Sequence, residues 1–448
     1  MMRDCILLGS VLCWGTALGA SGLAAQTRPA DDRPRHNDAA LADLGIHRYE
    51  SRRLILYSDI DPAVARSLPP LVDAAYPEWV RYFGELPPAA DGSDFQLTGY
   101  LMRDRGLFLD QGLLPEDLID FEHGRHRGYR FWMAEQKYDY YRRHLLLHEA
   151  THCYMLIVPR LQRPPLFYLE GIPELFGAHE LSPQGEVTFG VVPRDPHESV
   201  GFGRIEMIQR AFAQGAGKSL DGVLALSAED FARSKSEPYA WSWALCCFLN
   251  THPRYRERFR QLALIPDGQE FRRAWDQLFA PDAVPLRTEW NLFARTLVYG
   301  YDIERSAIDF RPGAPLPPGG RATLAVDSAR GWQSSGVLLE AGKEYRLTAA
   351  GEVTLADVPK PWISQPSGVT VRYAGGSPIG RLLGWVDVSS TGRGGPVEEP
   401  PQWLDLGEQA TLRPTAGGTL YLRVNDAWSS LADNRGRYQV TIEAAAGE

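Results

Sequence analysis

At FRPGAPLPPGG (310–320) the chain changes its hydrophobic period, and this change limits the fold more than any other feature. Before it, from about residue 134 to 300, apolar residues recur mostly at helical spacing. After it come short segments (ATLAV, GVLLEAG, YRLTAAGEV, VTVRY, LLGWVDV, TLYLRV, YQVTIEA) divided by Gly, Pro, Asp and Asn. A helical period does not serve as a strand period, so the two stretches need separate architectures. Three further strands are expected earlier, at RLILYS (53–58), FQLTGYLM (95–102) and GYRFWM (128–133). Between the first two, AVARSLPPLVDAAYPEWVRYF (63–83) is helical in spacing, with prolines that bend or interrupt it. The expectation is an α+β protein with a small mixed sheet and a mainly helical part over 46–308. A Pro/Gly linker follows over 309–320, then an all-β sandwich over 321–448. With 448 residues the chain is long enough for two domains.

MMRD precedes an apolar run, CILLGSVLCWGTALGA, and small residues lead to Gln26. This reads as a signal peptide over 1–25, followed by a polar, flexible leader over 26–45. The protein is therefore expected to be exported, to periplasm or beyond, with no stable membrane span after cleavage, because no later run has bilayer length. Cys153, Cys246 and Cys247 read as buried small apolar residues, since neighbouring helical cysteines diverge by about 100°. A net charge of −9 supplies no phosphate-neutralising surface and argues against nucleic acid as a partner.

The chemistry is concentrated in RRHLLLHEATHCYML. On a helix, His148 and His152 lie one above the other and suit one zinc ion as neutral imidazoles. Glu149, about 100° round, reaches a water at that site without ligating the metal, as a general base should. After the prolines at 159, 164 and 165, LEGIPELF places Glu170 at the head of an expected second helix, with Pro173 in its first turn. Glu170 is the preferred third ligand, and Glu174 the acceptor for a ligating histidine's spare N–H, although the two roles could be exchanged. Tyr239 opens a helix after Glu237 and Pro238; it is either an oxyanion donor or a core aromatic. His123, His126 and His144 read as surface or structural residues, and His179 as a group behind the ligands or a proton donor.

HEATH followed by LEGIPELF resembles the gluzincin metallopeptidases, the thermolysin and zinc-aminopeptidase group, and in particular the peptidase-MA-like proteins. The likeness extends through EPYAWSWALCCFL (237–249) and covers roughly residues 48–300. It implies a thermolysin-like fold, zinc, and a peptide or protein substrate. It also implies that Gly128, Tyr129, Arg130, Phe131 and Trp132 form an edge strand that pairs with the substrate backbone. The Gly-x-Met-Glu-Asn strand with which aminopeptidases of this group bind a free amino terminus is absent, which points to an endopeptidase.

Near the C terminus Asp426, Ser430, Asp433 and Asn434 place hard oxygens in a loop between strands, which suits calcium; an ordinary acidic hairpin is the plain alternative. GWQSSGVLLEAGKEYRLTAAGEV, SPIGRLLGWV and NDAWSSLADNRGRYQVTI resemble the PA-IL-like galactophilic lectins. That likeness implies calcium at these four residues and a carbohydrate partner. The histidine of the lectin's other sugar loop has no counterpart after His252. Trp332, Trp362 and Trp428 either stack on a sugar or fill a core. Two further readings remain open on the sequence: a zinc-bearing but inactive scaffold, and a hydrolase of a non-protein substrate such as a cell-wall cross-link.

Overall fold

The computed structural model describes residue 28 and residues 33–157, 164–265, 268–388 and 403–446. The expected signal peptide and Pro159 lie outside these residues. The protein is α+β with several sheets. The first sheet has five strands in the order β1-β2-β3-β5-β4. They are β1 (His47–Glu50), β2 (Leu54–Ser58), β3 (Leu97–Met102), β4 (Gly124–Arg127) and β5 (Arg130–Ala134). The inner three are parallel, and β1 and β4 close the two edges antiparallel.

The strand period of two sorts side chains onto the two faces of this sheet. Tyr57, Tyr100 and Trp132 stack across one face, beneath Leu41 of α1 (Asp38–Asp43) and Phe108 of the helix Arg105–Asp110. Leu56, Leu101, Phe131 and Met133 enter the main core on the other face. Part of the expected flexible leader is therefore docked. Asn37 caps α1, and His36 Nε2 lies 2.9 Å from the Tyr100 hydroxyl. The polar composition of the leader hid these few anchoring residues.

α2 (Asp139–Ile157) is the central helix; every residue from His144 to Met155 is buried. A helix covered on all sides belongs inside a core. Next comes α3 (Leu166–Gly177), which begins directly after Pro165, four residues before Glu170. The expected start at Glu170 is thus corrected, and Pro173 lies inside the helix, where it removes one ladder bond. α3 crosses α6 (Glu237–Thr251), reached through α4 (Arg204–Ala213) and α5 (Ala228–Arg233). Gly171 makes that crossing close, for a Cβ there would lie 2.6 Å from the Ser242 carbonyl oxygen. The three cysteines are free and buried. Among the described residues no helix is long and apolar enough to cross a membrane.

Beyond residue 308 the described residues form a five-stranded and a six-stranded sheet around a shared apolar core that includes Val337, Leu347, Leu382, Leu422 and Val440, with a separate two-stranded hairpin over Val369–Ala374 and Ser377–Ile379. The expected linker is more than a linker, because Ala314–Pro315 pairs with Val337 and Leu338 and joins the five-stranded sheet. The two halves also share a core. Trp428 stacks on Tyr301 at 5.6 Å, and its carbonyl accepts the Asp302 N–H at 2.9 Å. Arg423, fully enclosed, lies 3.8 Å above the Trp428 ring.

Candidate metal centre

α2 and α3 face each other with matched four-residue spacings, His144, His148 and His152 on one and Glu170 and Glu174 on the other. His148 Nε2 and His152 Nε2 are 3.1 Å apart. Glu170 Oε2 lies 3.2 Å from the second and 3.6 Å from the first. Donor atoms about 2.0–2.2 Å from one tetrahedral zinc would be about 3.3–3.6 Å apart; one of the three separations falls in that range and the other two lie 0.1–0.2 Å below it. His148, His152 and Glu170 thus form a cluster of three donor side chains that could hold one metal ion. Burial lowers His148, but the neighbouring carboxylates of Glu170 and Glu174 outweigh it and carry its pKa up to about 10. His152 falls to about 4, chiefly through burial.

His144, His148 and Glu174 converge as well. That set is a poorer cation site, because Glu174 is committed elsewhere. Its two oxygens accept Arg204 Nε at 2.9 Å and Nη2 at 3.2 Å. Glu174 Oε1 also lies 3.2 Å from His148 Nδ1, the ring nitrogen opposite the one facing Glu170. Glu174 therefore sits behind those three side chains, its carboxylate beside the far edge of the His148 ring. Burial pushes the Glu174 carboxyl up, but Arg204 and the histidines hold it well below the ordinary range.

Glu149 and His148 border a cavity of about 290 Å³, with Tyr141, His144, Arg204, Phe231 and Tyr239 also in its wall and Asp120, Glu122 and Lys235 at its rim. Tyr239, on the first turn of α6, places its ring 6.1 Å from that of His148 and meets Phe231 edge-on. It is a cavity-wall residue.

Two expectations need correction. GYRFWM is an interior strand: β5 pairs with β3 on one side and β4 on the other, so Arg130, Phe131 and Trp132 offer no free edge, and Gly128 and Tyr129 form the turn before it. Trp132 is buried, its indole N–H donating to the Leu113 carbonyl at 2.7 Å. The edge strand beside the motif helix is β4, whose sequence GRHR carries no apolar alternation to announce a strand. His179 is likewise outside the site. It stacks on Tyr140, its Nδ1 lies 2.8 Å from the Gly177 carbonyl, and its Nε2 accepts Arg143 Nε at 3.1 Å beside a separate cavity. Burial lowers its pKa to about 3.

Sequence reasoning missed Gly124 and Arg204, and it left His126 and His144 as surface or structural residues. The i, i+4 step from His144 to His148 was visible in HLLLH; nothing local marked Arg204, thirty residues from Glu174.

In the C-terminal half, Asp426 and Asn434 are both buried. Asp426 Oδ1 accepts the Ala427 N–H, and Asn434 Nδ2 donates to the Ser328 carbonyl. Asp426 Oδ2 and Asn434 Oδ1 have no hydrogen-bond partner. Burial raises the Asp426 pKa. Ser430 is half-buried and Asp433 exposed in the same segment. Trp332 and Trp428 are core residues, and Trp362 is half-buried under Arg372.

No family model and no curated protein matches the chain. Among solved structures, one similar chain is the EclA N-terminal domain, a PllA-like lectin. It is 20% identical, with a TM-score of 0.21, and the match covers 28% of this chain and 95% of that one.

Proposed function

We propose that the chain is a zinc-dependent metallopeptidase, an endopeptidase with a thermolysin-like, gluzincin-type catalytic half. The observation that carries this reading is the convergence of His148 Nε2, His152 Nε2 and Glu170 Oε2 to within 3.1–3.6 Å of one another, beside a cavity that Glu149 also borders. His148, His152 and Glu170 would hold the ion, which when bound acidifies water and polarises a carbonyl. Glu149 takes the proton from the water that attacks the scissile carbonyl and passes it to the leaving amine. Tyr239, across the cavity, donates to the developing oxyanion. Gly124–Arg127, the edge strand, pairs with the extended substrate. Export, read from residues 1–25, belongs to the same proposal.

The test is a diverse peptide library digested by the purified full chain and read by mass spectrometry, with and without a zinc chelator. Cleavage that the chelator stops is the expected result. A zinc-loaded protein that cuts no peptide would overturn the peptidase reading and favour a non-peptide substrate or a scaffold. Glu170→Gln should lower zinc affinity by at least about tenfold, measured by competition with a chromogenic chelator. Unchanged affinity would remove Glu170 from the ligand set.

We further propose that Asp426 and Asn434 bind calcium, with Ser430 and Asp433 completing the loop. The buried, unpartnered Asp426 Oδ2 and Asn434 Oδ1 support this, since buried oxygens without donors suit a hard cation. Calcium at a hundred times its Kd should stabilise the parent by about 2.7 kcal/mol. In a calorimetric scan Asp426→Asn should lose that upward shift in Tm. The proposal does not extend to a sugar on Trp332 or Trp428, because both rings are buried.

A further inference from the structure

We propose that β4 is shaped to hold Glu149, with His126 as the positioning residue on one carboxylate oxygen and Gly124 as the clearance beside the other. The inference rests on the peptidase reading and adds a residue to it.

The strand period supplies the arrangement. Gly124 and His126 are half-buried, while Arg125 and Arg127 are exposed. Two residues on one face of an edge strand thus meet one carboxylate. His126 Nδ1 lies 3.0 Å from Glu149 Oε2. A carboxylate only accepts, so the nitrogen carries the proton and donates. The His126 ring is itself pinned, stacked on His152 at 4.2 Å with 22° between the planes. At position 124 any Cβ would overlap Glu149 Oε1, so only glycine leaves that oxygen its place. The φ of Gly124 is not positive, so the need for glycine here is steric.

This arrangement decides which oxygen works. A carboxylate turns easily about its last bond and would present either oxygen to the cavity. With Oε2 engaged by His126, Oε1 is left to accept the proton. His126 acts through Glu149; nothing in the geometry requires it to touch substrate.

The test uses the full-length zinc protein with His126→Ala, His126→Asn, Gly124→Ala, Glu149→Gln and the double variant His126→Ala/Glu149→Gln. His126→Ala should lower kcat by about 10- to 100-fold with KM within about threefold and zinc content unchanged. His126→Asn, which keeps a donor near the Nδ1 position, should recover most of the loss, and Gly124→Ala should lose turnover with His126 intact. In the Glu149→Gln background His126→Ala should cost nothing more, because both changes remove one function. A kcat for His126→Ala within about twofold of the parent, or a further full loss in the double variant, would overturn the proposal.

The visible spectrum of the cobalt-substituted protein separates this inference from the peptidase reading. If the parent cuts no peptide, that reading fails, and the spectrum still decides the role of His126. A band shift in His126→Ala of the same sense as in Glu149→Gln supports it. A spectrum unmoved by His126→Ala, or by both changes, overturns it, since Glu149 would not then be held toward the metal.

Discussion

Glu149→Gln is expected to keep a full complement of zinc and to lower turnover of any peptide the parent cuts by about 10²- to 10⁴-fold. The substitution keeps size and hydrogen-bonding reach but removes the group that accepts a proton. Glu149 lies one residue from His148, yet its carboxylate turns toward His126 on β4 and takes no part in the three-atom convergence. Its loss should therefore leave binding of the ion and of substrate nearly untouched and appear almost wholly in kcat. Zinc content by elemental analysis, beside kcat and KM on one peptide, checks this. A variant that also loses its zinc would show that Glu149 is a ligand; one that keeps full activity would remove it from the chemistry.

Arg204→Leu should be the most destabilising single change near the site, by about 3–5 kcal/mol. Arg204 and Glu174 are almost wholly enclosed, and the guanidinium grips both carboxylate oxygens. Without it a buried carboxylate faces only histidines. Urea unfolding of the zinc-free protein would show a lower midpoint. Arg204→Leu/Glu174→Leu should recover part of the loss, because replacing both partners leaves no stranded charge. An equal loss in the double variant would assign the cost to packing. The pair lies directly behind His148, so Arg204→Leu should weaken zinc binding too.

Long, regular elements were legible in the sequence. The strands at 53–58, 95–102 and 128–133 announced themselves by apolar and aromatic content, and the helix of HEATH by its apolar spacing. Short polar strands were not. HRYE and GRHR carry no hydrophobic alternation, so β1 and β4 went unread, and β5 was taken for an edge because the strand outside it was invisible. The convergence of His148, His152 and Glu170 was legible because a four-residue step places two histidines on one helix face and a carboxylate follows shortly after. The start of α3 was misplaced because proline signals a first turn at both Pro165 and Pro173, and the chain uses the earlier one. Arg204 and His126 were out of reach, since tertiary packing alone brings a residue from a distant helix or an unseen strand to a site.

The stack of Trp428 on Tyr301 and the backbone bond beside it join the two halves without slack. A catalytic half on a loose tether would sweep a sphere around whatever its companion grips and cut wherever the chain swung. Here the two halves instead share packed contacts, among them Trp428 on Tyr301. If the first half cuts peptides as proposed and those sheets hold a surface, the protein would work as a fixed gauge, and its cuts on an anchored chain would fall at a set reach from the point of attachment.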